Sequence, residues 1–210
     1  MSTARRSIMA ATATAILIAS LTACAVGDTA QSTEYQIKAA FIFNFLKFVD
    51  WPPDPNADPN SPIIIAVIGE NPFAKAFEPL QAKQVGDRQV LIRTYKGCQE
   101  LKDSDGIARF VDRPDLASIK ACHILFVARS EKQHIKDILK PIENAPILTI
   151  ADMPGFLEAG GVINFVLEDQ KVRFETSARS AKRARLNIRA QLLRLATRVI
   201  KDDAEQTDSK

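Results

Sequence analysis

The stretch from Glu34 to Trp51, EYQIKAAFIFNFLKFVDW, is the feature that most restricts how this chain can fold. Its spacing predicts an α-helix whose apolar side chains form two neighbouring rows: Ile37, Phe41, Phe45 and Phe48 in the first, and Ile42, Leu46 and Val49 in the second. A helix that is apolar around most of its circumference must be buried, in its own domain or against a partner. Pro52 and Pro53 end it. We expect this helix in the core.

The N-terminus has the pattern of a bacterial export signal. Arg5 and Arg6 precede an apolar stretch, Ile8 to Leu21, that is too short for a convincing membrane span. Residues 21–24, Leu-Thr-Ala-Cys, resemble a lipobox, which predicts that Cys24 is the acylated first residue of the mature protein. The alternative is ordinary cleavage after Ala25. The expected location is the periplasm, and an acylated form with alanine after the cysteine is expected in the outer membrane.

These boundaries divide the chain into four predicted segments: a lipoprotein-type signal peptide over residues 1–23, a tether over 24–33, a single α/β domain over 34–201 and a disordered tail over 202–210. Loss of Arg5 and Arg6 with the signal lowers the formal net charge from +3 to +1. So small a charge provides no field that would attract DNA or RNA, which excludes nucleic acid as a partner.

The order of the elements predicts the fold class. Ile63 to Ile68 and Cys122 to Ala128 are continuous apolar runs, typical of strands that a parallel sheet buries on both faces. Helical segments alternate with the strands, which predicts a layered α/β domain with a mixed, mainly parallel sheet and flanking helices. Val162 to Leu167 and Lys171 to Thr176 flank a turn and predict a C-terminal antiparallel hairpin.

The last predicted element is one long helix from Ala178 to Lys201. Its apolar stripe consists of Ala181, Ala184, Ile188, Leu192, Leu195 and Val199, and its opposite face is basic. Basic helices can bind nucleic acid or anionic lipid, but no aromatic residues are interleaved here to stack on bases. We interpret the basic face as a solvated surface.

The sequence contains few residues or motifs that indicate catalysis. The motifs of common hydrolases, metalloproteases and nucleotide-binding enzymes are missing from it. His123 lies inside an apolar strand, where we expect it to be packed and hydrogen-bonded, and His134 follows Ser130 by four residues without an orienting carboxylate. Asp152 and Glu158 lie in a turn-rich segment, where acidic residues are common. We therefore predict a protein that is not an enzyme and has no cofactor or metal.

One location could hold a small ligand. Gly69, Glu70 and Asn71 follow the first buried strand, and in α/β proteins ligands bind at this carboxyl edge of the sheet. These three residues form a candidate ligand crevice, without indicating a ligand. The corresponding alternative function is a lipid-anchored envelope module that binds a small molecule.

Two cysteines remain when Cys24 is set aside. In an oxidising compartment, Cys98 and Cys122 predict a disulfide, which would stabilise the fold by about 3 to 4 kcal/mol in the chain-entropy model. The alternative is two buried free thiols. Two cysteines and two histidines do not have the spacing of a zinc finger or ribbon.

Five segments together resemble the YfiR family of periplasmic regulators. In chain order they are KAAFIFNFLKFVDWP, IIIAVIGENPF, CHILFVA, PILTIADMPGFLEAGGVINFVLEDQKVRFE and LNIRAQLLRLA. They extend from about Glu34 to Val199 and so include nearly all of the predicted domain. Their order and spacing together are more specific than any single segment.

The resemblance implies a non-enzymatic regulator with a mixed α/β fold that forms homodimers. Characterised YfiR-like proteins bind the periplasmic domain of an inner-membrane diguanylate cyclase and hold it inactive, which links envelope redox state or stress to cyclic-di-GMP, biofilm formation and motility. By this resemblance the expected partner is such a cyclase or a sensor kinase. Because family members contain disulfides, the resemblance also favours pairing of Cys98 with Cys122.

The resemblance supplies candidate contact residues as well. Phe43, Phe48 and Trp51 match its aromatic helix and Trp-Pro positions and are candidates for partner binding, and four residues match its terminal helix: Leu192, Leu193, Leu195 and Ala196. The alternative for both sets is a place in the core. The lipobox is a departure from what is expected of a soluble regulator. If Cys24 is acylated, a tether of roughly 30 Å would keep the domain near its membrane. Either Cys24 is not acylated, or the partner differs from the family's best-known one.

Overall fold

The computed structural model describes residues 32–53, 58, 60–81, 83–98 and 110–201. Cys24, the predicted signal peptide, nearly all of the tether and the predicted tail lie outside these residues, and their assignments stay predictions. The described residues form the strands β1 Val49–Asp50, β2 Ile63–Ile68, β3 Gln84–Val85, β4 Arg88–Tyr95, β5 Ile124–Val127, β6 Leu148–Ala151, β7 Ile163–Glu168, β8 Lys171–Ser177, β9 Asn187–Ile188 and β10 Arg198–Ile200. Their α-helices are α1 over 32–48, α2 Glu78–Gln81, α3 Leu116–Lys120, α4 Ile135–Leu139, α5 Ala178–Arg183 and α6 Ala190–Leu193.

Eight of these strands form one sheet in the order β10-β8-β7-β6-β5-β2-β4-β3. Neighbouring strands are parallel from β4 to β7 and between β8 and β10, and antiparallel in the β7–β8 and β3–β4 hairpins. Alternate residues of β2 enter two separate apolar clusters, one on each face of the sheet. The predicted fold class is confirmed: the domain is α/β, with a mixed, mainly parallel sheet, flanking helices and a C-terminal antiparallel hairpin.

Helix α1 covers one face of this sheet and ends at Phe48, three residues before the predicted end, because the chain then pairs as β1. The second predicted row is the buried one, and Ile42 within it is fully enclosed. The first row is buried unevenly, since Phe45 is 1% exposed and Ile37 is 43% exposed. The expectation that Ile37 belongs to the core is therefore wrong.

Four aromatic rings attach α1 to the C-terminal hairpin. Phe41 lies with its ring centroid 6.0 Å from those of Phe165 on β7 and Phe174 on β8, both in edge-on geometry. The ring of Phe45 stacks at 5.9 Å on Phe165 and meets Phe174 edge-on at 5.2 Å. Such pairs stabilise by about 0.5 to 1.5 kcal/mol beyond area burial, so the helix and the hairpin form one packing unit.

The prediction of one long helix over residues 178–201 is wrong. Ser177 caps α5 by accepting a hydrogen bond from the Ser180 N–H, but the helix stops at Arg183, and Arg185 has the left-handed φ of 58°. The chain then pairs with β1, aligning Ile188 with Val49. The apolar period identified buried side chains correctly at 181, 184, 188 and 192, whereas Leu195 is 63% exposed. Spacing alone cannot detect the partner strand that bends the backbone here.

The two isoleucines of α1 provide a matched test of this packing. Ile42→Ala should lower the free energy of unfolding by about 2 to 5 kcal/mol, because it leaves a cavity at a fully buried site. Ile37→Ala should cost less than about 1 kcal/mol, since that side chain is partly in solvent. Urea denaturation of both variants measures the difference. Equal losses would show that the helix faces the sheet differently.

Candidate functional site

A buried ion pair joins helix α1 to the carboxyl edge of the sheet. Nζ of Lys38 lies 2.5 Å from Oδ2 of Asp152, and both side chains are 1% exposed. Asp152 directly follows β6, beside the end of its parallel neighbour β5. Removing two charges from water is costly, so such a pair is stable only when further hydrogen bonds satisfy its remaining donors and acceptors.

Three neighbours supply those contacts. The Tyr35 hydroxyl donates to Oδ2 of Asp152 at 2.8 Å, and Nε of Arg129 donates to both Oδ1 and the backbone oxygen of Asp152 at 3.1 Å. Glu34, one helical turn before Lys38, forms a second ion pair with its ammonium group. Burial, and then the Asp152 carboxylate, raise the pKa of Tyr35, so its hydroxyl stays a neutral donor.

Two open cavities adjoin this cluster and share Arg129 and Leu167. One, of about 710 Å³, also includes Glu34 and Ile37 in its walls, and the other, of about 490 Å³, extends past Phe165. Their volumes are in the range that small molecules or peptide side chains fill. We call the two cavities together the Arg129 groove. With a cation between apolar walls it is suited to binding.

Sequence reasoning missed this cluster. The sequence pattern assigns no role to Lys38 within an apolar helix and indicates an ordinary turn residue at Asp152. One signal was available, because a lysine on a helix that must be buried needs an acidic partner. Nothing in the sequence could identify that partner, which lies 114 positions away.

Of the three residues predicted to contact a partner, only Phe43 belongs to the core. Phe43 is 8% exposed, and Phe48 and Trp51 are half-buried against the same apolar cluster. Phe43 is therefore not available to a partner, and a contact role for Phe48 and Trp51 stays a prediction. In the terminal segment Leu192 is buried, Leu193 and Ala196 pack against the core, and Leu195 is exposed.

The predicted crevice is filled at Gly69, whereas Glu70 and Asn71 are exposed. A side chain at Gly69 would lie 2.4 Å from the Ser130 hydroxyl and 2.9 Å from Glu131, so these two residues occupy the space in front of it. The Ser130 hydroxyl accepts the Glu70 N–H, and the Asn71 side chain accepts the Phe73 N–H. Ser130 and Glu131 thus occupy the position in front of Gly69 that a ligand would need.

Cys98 and Cys122 are buried free thiols in the structure, which is the alternative to the predicted disulfide. Both lie in the same apolar cluster. Burial, and then the neighbouring Glu131 carboxylate, raise the pKa of Cys98 to about 12, and burial also raises the pKa of Cys122. The Cys122 thiol donates to the backbone oxygen of Ser118 at 3.3 Å. Neither thiol has the thiolate character that nucleophilic catalysis needs.

The histidines are placed as structural groups. Burial, followed by the charge of Arg88, lowers the pKa of His123 to about 4, and the Ile64 N–H donates to its Nδ1 at 3.2 Å. His134 lines a cavity of about 670 Å³ that also contains Cys98 and Asp137. Its Nδ1 lies 3.7 Å from the Asp137 carboxylate, beyond hydrogen-bond distance, and the nearby thiol is protonated. This arrangement lacks an activated nucleophile.

Among the described residues, no group of three or more His, Cys, Asp and Glu side chains is arranged to hold a metal ion. None of their helices is long and apolar enough to cross a lipid bilayer. The fold and the Arg129 groove together define an α/β protein with an open surface that is suited to binding.

The family profile described as YfiR/HmsC-like matches residues 35–197. The chain belongs to the YfiR/HmsC-like family, and this membership supports a regulatory role in the periplasm. The sequence-based recognition of the family is confirmed. A comparison with functionally curated proteins found no significant match.

A solved structure shares the fold. The chain is similar to the crystal structure of a conserved domain protein from Vibrio cholerae O1 biovar eltor, with a TM-score of 0.51 and 12% sequence identity. The similarity covers 79% of this chain and 60% of the other. At this identity the likeness supports the architecture and carries no information on ligands or partners.

The buried ion pair gives a first test of the site. Lys38→Met leaves the Asp152 carboxylate buried without its ammonium partner, which should cost about 3 to 5 kcal/mol of unfolding free energy. Lys140→Met is the control, because it breaks an exposed pair with Glu143 and should cost less than about 1 kcal/mol. The double variant Lys38→Met with Asp152→Leu should recover part of the loss. Urea denaturation measures these three variants and Asp152→Leu alone, and a double variant whose loss equals the sum of the two single losses would contradict the pairing.

The thiols give a second test. A Cys24→Ser variant purified from the periplasm without reductant should show two free thiols per chain in denaturant, detected with a chromogenic disulfide reagent. Under native conditions at pH 8 the same reagent should react slowly, since a thiol of pKa about 12 is ionised only to about one part in ten thousand. Absence of free thiols in denaturant would instead establish the disulfide.

Proposed function

We propose that this protein is a non-enzymatic periplasmic regulator that binds and represses the periplasmic domain of an inner-membrane diguanylate cyclase, so that it lowers cyclic-di-GMP and biofilm formation. The observation that carries the proposal is the family match over residues 35–197, which includes almost the whole described domain. The alternative partner is a sensor kinase, which would be bound in the same way through its periplasmic domain.

The placement of the chemical groups supports a binding role. The buried charges of Lys38 and Asp152 satisfy each other, and the thiol of Cys98 is held protonated. His123 is held neutral by its burial. By contrast, the Arg129 side chain is 62% exposed beside two open cavities. Arg129, unlike these buried groups, is thus available to another molecule, and it lies on a surface that is suited to recognition.

The proposal includes export through the N-terminal signal and assembly as a homodimer, and for an inner-membrane partner it requires that Cys24 is not acylated. An acylated Cys24 would hold the domain on the membrane by a tether that ends near Thr33, in the wall of the Arg129 groove. In that case the outer membrane is the anchoring site, and the partner is a protein other than an inner-membrane cyclase.

A second candidate function is a lipid-anchored module that binds a small ligand. The two cavities of about 710 and 490 Å³ favour it, at a position different from the filled crevice at Gly69. It predicts a saturable rise in melting temperature with one class of metabolite.

Deletion of the gene tests repression. In a strain that expresses the cyclase, deletion should raise cellular cyclic-di-GMP, measured by mass spectrometry, because the enzyme loses its inhibitor. Complementation with the intact gene should restore the low level, and a second deletion that removes the cyclase should abolish the rise. Unchanged cyclic-di-GMP in the deletion strain would reject the function.

A further inference from the structure

The Arg129 groove combines apolar side chains in solvent with a cation in a fixed position. Ile37 is 43% exposed and Leu167 is 54% exposed, and both line the larger cavity. Leu167 and Arg129 also line the smaller cavity, so the two spaces adjoin at these residues. A large aliphatic side chain in solvent is common, but two that face one cavity beside an arginine form a patch of the kind that binds proteins.

The buried cluster fixes the direction of Arg129. Its Nε donates twice to Asp152, whose carboxylate is itself held by Lys38 and Tyr35. This leaves the two Nη groups, for which the described residues provide no hydrogen-bond partner. They form the end of a planar fork that matches a carboxylate in bidentate geometry. Because the side chain is already ordered, an incoming acid does not bear the full entropic cost of fixing it.

The far wall of the groove restricts where an acidic group can bind. Arg198 is already paired with two carboxylates, since it contacts Glu158 at 3.0 Å and Glu175 at 2.9 Å. These two carboxylates would repel an acid placed near them, whereas Arg129 would attract it. The charges therefore favour one register for a bound segment, with its acid opposite Arg129.

We infer that the Arg129 groove is the docking surface for the partner protein, and that the segment seated in it has an acidic side chain opposite Arg129 and apolar side chains against Ile37 and Leu167. This inference rests on the proposed function and specifies its contact site. It replaces the aromatic positions suggested by the sequence, of which Phe43 is enclosed in the core. Arginine and desolvated apolar neighbours are the usual composition of the residues that dominate protein interfaces.

Complementation of the deletion strain tests the surface. Arg129→Glu and Leu167→Asp should each fail to restore the low cyclic-di-GMP level. The matched controls Arg194→Glu and Leu91→Asp change exposed residues outside the groove and should restore it fully. Arg129→Gln keeps Asp152 free of a new negative neighbour and should give an intermediate loss. Melting temperatures and periplasmic protein levels of all variants show whether each one folds, and Leu167→Asp does not touch the buried cluster.

The outcomes separate the two proposals. If deletion raises cyclic-di-GMP but Arg129→Glu and Leu167→Asp complement like the intact gene, repression stands and the docking surface is overturned. If deletion has no effect, the proposed function fails and the inference fails with it.

The chemistry of the partner has its own test. Suppressors that restore repression to Arg129→Glu should map to an acidic residue of the partner's periplasmic domain that has changed to Lys or Arg. Sedimentation of the purified protein should show the same oligomeric state for the intact chain and for Leu167→Asp. A dimer that Leu167→Asp dissociates would make the groove a contact between copies, and would overturn the inference.

Discussion

The ion pair between Lys38 and Asp152 is the contact on which the functional part of this structure depends. It joins α1 to the end of β6 by a bond between residues 114 positions apart. Neither charge is tolerable alone at 1% exposure, so both must be present, and with them the Tyr35 hydroxyl and the Arg129 guanidinium. A structural requirement of the core thereby determines the position of a side chain on the surface.

Helix α1 is held on the sheet both by this ion pair and by its own apolar contacts. At the C-terminal end of the helix, Phe45 stacks on the β7–β8 hairpin and Ile42 is fully enclosed. At the N-terminal end, Tyr35 and Lys38 attach the helix to the edge of the sheet through polar contacts. The helix is thus held by hydrophobic burial in one half and by hydrogen-bonded charges in the other. Between the hairpin and the charged end lies the Arg129 groove, so packed elements border it on both sides.

Much of the fold was accessible from the sequence, because its strongest signals are local. The apolar runs of β2 and β5, the β7–β8 hairpin and the helix α1 all follow from side-chain spacing within a few residues. Structural features that depend on residues distant in the sequence could not be predicted. The turn at Arg185 and the pairing of Ile188 with Val49 break a helix that the apolar period favoured. Likewise, Glu131 fills the space in front of Gly69 from a 3-10 helix 62 positions later, which no local pattern could show.

Residue-by-residue amide hydrogen exchange of the intact protein tests the central claim most directly. If Lys38 and Asp152 hold the N-terminal half of α1, the amides of Ala39 and Ile42 should exchange only with the global opening that also releases Ile65 and Leu125 in the central strands. In Asp152→Asn the amide of Ala39 should exchange much faster while Leu125 is changed far less. Fast exchange at Ala39 in the intact protein, independent of the central strands, would contradict the account.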